Sequence, residues 1–416
     1  MKKLVLSLAA VAVLAMVSAP VMAATQWNFG GMIRYMTFWD QNNGGDYAIN
    51  DYQNGGAAMK SDGRLQWGTQ ANTRIMMWMK SDTLDGFIEL GYDTDGNSVW
   101  TREYWGRYKM NDKASIIIGH QHQLYSSFIS RQAGLVDLNL NGVGTAFRPP
   151  TPKIVFNYGG VGHLFFINSG FSFALAKPET SVADTYTSAL PAAAAPTNTF
   201  TAGYDEDTYL PQFQAAYSYY ADTWRIKVAG AYQWTKVSKA EYAEYNAAGT
   251  LVNSGRMKNK NIHSWLATID GDISFGPLWL AANFTVGQNW GNAGMMNSEF
   301  GATYGDSHPG QYMYVGAAKF ENGKLKNTTS AMASIVAAYQ LTEALRFEAG
   351  AGYRYDDNKT YKHDSNLWIT YLQAAYTIAP GFEIVPEIGY VDRGKWVHGG
   401  DDGYLWYAGA QWNMYF

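Results

Sequence analysis

The residues that most constrain this chain are its last thirteen, 404–416, reading YLWYAGAQWNMYF. Tyr404, Trp406, Ala408, Ala410, Trp412, Met414 and Phe416 fall on one face of an extended strand, with aromatics at both ends and small residues between. The other face carries Gly409, Gln411, Asn413 and Tyr415, which can meet water. One face suits lipid and the other an aqueous lumen. In hydrocarbon an open sheet edge would leave backbone N–H and C=O groups unpaired, so such a strand implies a closed barrel with aromatic girdles at the two interfaces.

The other end of the chain sets the compartment. Lys2 and Lys3 precede an apolar run over 4–17, and Pro20 leads to the small-residue site Val21-Met22-Ala23. This order predicts a signal peptide over 1–23, cleaved after Ala23, and a single barrel domain over 24–416. Beyond it no stretch approaches the ~20 apolar residues of a spanning helix. Export without a later helix, combined with bilayer-type strands, points to a bacterial outer membrane. Without cysteine the chain has neither disulfides nor thiolate metal ligands. Removing the signal leaves 29 basic and 35 acidic residues, and no strongly basic patch speaks for nucleic acid. Charged residues make up 16% and aromatics 15%. Soluble proteins carry about 25% charge, and the deficit suits an outer belt that excludes it.

Period-two alternation recurs along the chain and predicts an all-β, antiparallel up-and-down barrel of sixteen strands, or eighteen if 311–320 adds a hairpin. The clearest strand is 224–235: Trp224, Ile226, Val228, Gly230, Tyr232 and Trp234 on one face, Arg225, Lys227, Ala229, Ala231, Gln233 and Thr235 on the other. Long connections alternate with short turns, the arrangement of outer loops and periplasmic turns. Sixteen strands about 4.8 Å apart and tilted about 40° enclose a cylinder roughly 32 Å across, too wide for inward side chains to fill. The long connection 122–148 is the candidate plug.

The inward positions supply candidate pore residues. Arg34, Arg74 and Arg107 lie on neighbouring strands with Glu89 between them, and Arg225, Arg346, Glu348 and Arg354 fall on the far wall. Glu383 and Glu387 join them there, while loop 122–148 contributes Arg131 and Asp137. Basic and acidic inward positions nearly balance, so weak selectivity tilted toward anions is expected. Screening acts over about 8 Å at physiological salt, comparable to a narrowed pore. Trp105 and Tyr371 are inward-prone aromatics that could form a sugar track. Other chemistry is thinly supported. Asp93, Asp95 and Asn97 open like a calcium loop, but Ser98 stands where its glycine belongs and Tyr104 where its glutamate belongs. His120 and His122 offer two imidazoles without a nearby acid, and Ser126 and Ser127 lie near His122 in sequence. No nucleotide-binding motif or cofactor site is evident.

Several segments carry a resemblance. The small-residue signal site, the sixteen-strand meander, the long loop after Ile116-Ile117-Ile118-Gly119-His120-Gln121 and the terminal Phe416 resemble the Gram-negative general porins. Arg148-Pro149-Pro150-Thr151-Pro152-Lys153 and Phe173-Ala174-Leu175-Ala176-Lys177-Pro178-Glu179 are similar to a porin branch from sulfate- and metal-reducing bacteria. The resemblance implies a homotrimer in outer-membrane lipid and a third loop folded into the barrel opposite arginines. It also implies a terminal phenylalanine read by the barrel-assembly machinery, and passive diffusion of small hydrophilic solutes without catalysis or cofactor. The chain departs from that pattern in lacking an acidic tip on loop 122–148. Small outward residues, Gly31, Thr69, Ala71, Thr73, Ala408 and Ala410, suggest where copies would meet. A sugar- or anion-specific channel, a barrel enzyme and a purely structural barrel are the competing readings.

Overall fold

A computed structural model describes residues 25–43, 61–70, 72–92, 99–134, 139–146, 150–159, 169–179, 198–201, 205–238, 241–245, 251–256, 258–296, 316–321, 324–358, 364–392, 394 and 403–416. The predicted signal peptide, Asp137, and the calcium candidates Asp93, Asp95 and Asn97 lie outside the described residues.

Sixteen antiparallel staves form the barrel. They are β1 (Gln26–Asn43), β2 (Ser61–Thr69 and Arg74–Lys80), β3 (Leu84–Tyr92), β4 (Val99–Lys109), β5 (Ala114–Gln121), β6 (Thr151–Gly159), β7 (Gly170–Ala176) and β8 (Asp205–Asp207 and Gln212–Tyr220). The second half comprises β9 (Trp224–Ser238), β10 (Lys260–Phe275), β11 (Leu278–Gln288), β12 (Thr328–Gln340), β13 (Leu345–Asn358), β14 (Ser365–Ala379), β15 (Phe382–Asp392) and β16 (Tyr404–Tyr415). Each stave pairs with its sequence neighbours, and β1 closes the sheet on β16 from Met32↔Tyr415 to Asn43↔Tyr404. Closure removes the edge that hydrocarbon would not tolerate. The hairpin at Lys319–Glu321 and Lys324–Lys326 is a separate two-stranded sheet, so the described residues add no seventeenth or eighteenth stave.

Alternation is literal in β6: Thr151, Lys153, Val155 and Asn157 are buried inward, while Pro152, Ile154, Phe156 and Tyr158 are exposed outward. Two interruptions depart from the regular strands expected. In β2 the ladder breaks between Thr69 and Arg74, where the Gln70 N–H donates to Arg34 O (2.8 Å) and the Thr73 hydroxyl oxygen accepts from the Arg34 N–H (3.0 Å). Thr73 is therefore 7% exposed within this irregularity and is not a small lipid-facing residue. In β4 the register shifts by one residue between Glu89↔Glu103 and Leu90↔Thr101, leaving Arg102 as the extra residue. Such a bulge re-aims side chains. It turns Arg102, which strict alternation would send into lipid, toward Glu89 inside the barrel.

At the C-terminus the Phe416 N–H donates to Gly31 O (3.2 Å) and Phe416 O accepts from the Gly31 N–H (2.9 Å). A Cβ on Gly31 would sit 2.6 Å from the Phe416 ring, so this glycine seats the terminal ring rather than opening a flat lipid-facing patch.

Candidate permeation pathway

Two loops fold into the barrel. The first is the predicted plug, whose described residues 122–134 and 139–146 are largely buried. Its seat is the inner face of β1 and β12–β16, which is apolar toward the outer end. Ile129, Ala133, Leu140 and Val143 pack against Phe38, Val336, Leu367, Ile369, Leu405 and Tyr407. Each fully buried aliphatic side chain contributes about 1.5–3 kcal/mol. Two carboxylates from the wall order the loop backbone. Glu387 accepts the N–H groups of Ala133 (2.7 Å) and Gly134 (2.8 Å) and the hydroxyl of Tyr407 (2.8 Å). Glu348 accepts the Arg131 N–H (2.7 Å) and the Tyr371 hydroxyl (2.7 Å), and pairs with Arg346 (2.6 Å). Further along, Ser334 Oγ donates to Gly144 O (2.9 Å), where a Cβ on Gly144 would lie 2.9 Å from Gly352 Cα. Only glycine permits that approach of loop to wall.

The second inward loop was not anticipated from the sequence. Asn289, in the left-handed region at φ 53°, turns the chain into the short 3-10 helix Trp290–Ala293. Trp290, Met295 and Met296 pack with Tyr125 and Ala146 of the first loop and with Ala229, Ala231 and Leu266 of the wall. Arg354 lies over the Trp290 ring at 5.5 Å.

What remains among the described residues is a passage with a cavity of about 700 Å³, lined by β1–β9, by β14–β16 and by the first loop. Arg34, Arg74, Glu89, Arg107, Arg131 and Arg225 of the predicted set all line it, as does Glu383. Arg346, Glu348 and Arg354 are on the inner face but do not line the passage, because the two loops cover that wall. Tyr371, expected as part of a sugar track, is 4% exposed and holds Ser130 (2.7 Å) and Glu348 instead. Trp105 lines the passage but is 7% exposed, packed on Phe87.

The lining shows a recurrent charge arrangement. Glu89, 1% exposed, is shared by Arg74 (3.1 Å) and Arg102 (2.5 Å). Asp85 is shared by Arg107 and Lys109, and Asp270 by Arg225 (2.9 Å) and Lys227 (3.1 Å). Arg225 also pairs with Asp272 (2.6 Å). Each of the three acids pairs with two cations; Asp85 and Asp270 lie behind the lining, whereas Glu89 and the cations Arg74, Arg102, Arg107, Arg225 and Lys227 reach the passage. Seven cationic side chains, Arg34, Arg74, Arg102, Arg107, Arg131, Arg225 and Lys227, line the passage against three carboxylates, Glu89, Glu103 and Glu383. Lys227 lies inward as its strand position predicts, whereas Arg102 is not expected in the lining. The strand pattern marks Lys227 plainly, but Arg102 is placed by a bulge that alternation hides.

The two histidines part company. His122 Nε2 lies 3.1 Å from Glu103 at the passage, whereas His120 stacks on Tyr104 at 5.2 Å, away from it. Among the described residues no group of three or more His, Asp or Glu could hold a metal ion.

No protein-family model matches this chain, and no curated protein matches it. Solved structures do. The outer membrane channel DcaP of Acinetobacter baumannii superposes with TM-score 0.62 at 14% identity, over 95% of this chain and 98% of that one. An anion-selective porin from Comamonas acidovorans gives 0.54 at 12% identity, over 94% and 100%. The in-vitro folded trimer form of OmpT, an outer membrane protein of Vibrio cholerae, gives 0.52 at 12% identity, over 94% and 100%. The chain therefore has the closed sixteen-stranded barrel fold of the outer-membrane porins.

Proposed function

We propose that this protein is an outer-membrane channel for passive diffusion of small hydrophilic solutes and ions, exported by the signal peptide over 1–23 and weakly selective for anions. The observation that carries the reading is the cavity of about 700 Å³ beside the two inward loops, lined by seven cations against three carboxylates. Asp85 and Asp270 stand behind that lining and reduce the surplus, so the tilt toward anions is modest. A low-dielectric wall and a narrow passage let fixed charge of this kind bias permeant ions. The Comamonas barrel of the same fold is described as anion-selective, which agrees with this reading. The channel needs no cofactor and performs no catalysis.

The functional unit is proposed as a homotrimer in outer-membrane lipid, contacting through β16 and β1–β5, where Ala408 and Ala410 allow close approach. Crosslinking that yields only monomers would count against it. The decisive test of the channel is single-channel recording in a planar bilayer under a KCl gradient. Replacing Arg34, Arg74 and Arg107 together by glutamine should move the reversal potential toward cations. A wild-type channel that is already strongly cation-selective overturns the assignment.

A further inference from the structure

Three carboxylates line the passage, Glu89, Glu103 and Glu383, and they differ in what faces them. Glu89 is paired with the guanidiniums of Arg74 and Arg102, groups that keep their charge at any ordinary pH. Glu383 accepts from two neutral groups, Asn413 Nδ2 (3.0 Å) and the Tyr415 hydroxyl (3.4 Å). Glu103 faces an imidazole, with His122 Nε2 at 3.1 Å from its Oε1. Imidazole is the side chain whose charge ordinarily changes between pH 5 and 8. Among the described residues that line the passage, His122 is the only histidine.

The local structure brings this imidazole into the lining and holds it there. β5 ends at Gln121, where the chain turns into the lumen. His120, still on the ladder opposite Tyr104, stays away from the passage, whereas His122 enters it. From β6, Lys153 Nζ donates to His122 O (2.8 Å) and to Gln123 Oε1 (2.7 Å), which anchors the first residues of the loop. Phe128 of the same loop meets the imidazole edge-on, at 5.2 Å and 76°. The other charged groups around the pair are Arg102, next to Glu103 on β4, and Glu89, opposite Glu103 on β3, with its second partner Arg74. From β9, Lys227 reaches the loop at Ser126 O (2.5 Å) and is paired with Asp270 (3.1 Å). These are carboxylates, guanidiniums and ammoniums, whose ordinary titrations fall outside the imidazole range.

We propose that the His122–Glu103 pair is a specificity-determining element of the channel, through which pH sets the preference for anions. With the imidazole neutral, Glu103 stands in the lining as a carboxylate that opposes anions. With the imidazole protonated, that carboxylate is compensated, and the lining gains one positive charge within a screening length, about 8 Å, of the permeant ions. In the Nε2–H tautomer the hydrogen bond to Glu103 is kept in both states. The switch is therefore one of charge and needs no movement of the loop.

The inference rests on the channel reading, and one experiment separates their failures. Wild-type protein in a planar bilayer under a KCl gradient is recorded at pH 8 and at pH 5, the two limits of ordinary imidazole titration. The chloride-to-potassium permeability ratio should rise about twofold on acidification, the scale of one unit charge acting across several ångströms of water. His122→Gln should hold the ratio low at both pH values, and His122→Lys should hold it high at both. A wild-type ratio that is equal at the two pH values overturns the inference and leaves the channel standing. A full shift that survives in His122→Gln or in His122→Lys overturns it as well. Wild-type protein that carries no current at either pH overturns the channel reading itself.

Discussion

The inner faces of β12–β16 and of β2–β4 follow the same alternation and become opposite surfaces. On the first, Leu367, Ile369, Leu405 and Tyr407 point inward and are covered by loop 122–146, and the acids Glu348 and Glu387 are satisfied by loop backbone N–H groups. On the second, the described loop residues arrive at Glu103, through His122, and at Phe87 and Trp105, through Leu124, and the acids Asp85 and Glu89 are paired with cations. A buried carboxylate needs donors in either case. Whether amides or guanidiniums supply them decides if that wall becomes a loop seat or a charged pore lining.

The contrast can be broken most forcefully at the seat. Glu348→Gln combined with Glu387→Gln should loosen loop 122–146, since hydrogen bonds to charged groups contribute about 1.5–3 kcal/mol each. Single-channel conductance should rise and the loop should become open to protease; a variant with unchanged conductance would mean that the apolar seat alone holds it. On the open wall, single substitutions should act in opposite senses. Glu89→Gln removes the acid paired with Arg74 and Arg102 and should shift the reversal potential toward anions, whereas Arg102→Gln should shift it toward cations by a comparable amount. Shifts of the same sign would show that the paired arrangement does not set the field.

The smallest effect concerns neither wall but the seam between β1 and β16. Gly31→Ala would place a Cβ 2.6 Å from the Phe416 ring and 2.8 Å from Arg74 O, an overpacking of about 1–3 kcal/mol. It should lower the folded fraction seen on semi-native gels, as should deletion of Phe416, without altering the conductance of the protein that folds. Equal folded yield in cells would separate Phe416 from assembly.

Much of this architecture is legible in the chain. Sixteen segments of period two, the even count and the alternation of long and short connections identify the barrel, because lipid on one side and water on the other impose two residue classes on every strand. Arg34, Arg74, Arg107 and Arg225 could be assigned inward for the same reason. The second plug around Trp290 could not be assigned, although the sequence holds a signal for the seat of the first. Strands apolar on both faces, such as β14 with Leu367 and Ile369 inward against Trp368 and Leu372 outward, mark an inner wall that something must cover.

Alternation along a strand is a local property, set by backbone pleat and solvent, and by itself the sequence determined which face each regular strand turns to the bilayer and that the sheet must close. Three features depended on contacts between separate segments of the chain. Glu348 and Glu387 became loop anchors because residues 131–134 reach them across the lumen. Arg346 and Arg354 left the pore lining because loops cover their wall. Arg102 and Trp100 entered it because one extra residue in β4, accommodated opposite Gly91, reversed the local alternation. A bulge and a loop seat are bargains between two segments, so neither can be read from the spacing of residues within one of them.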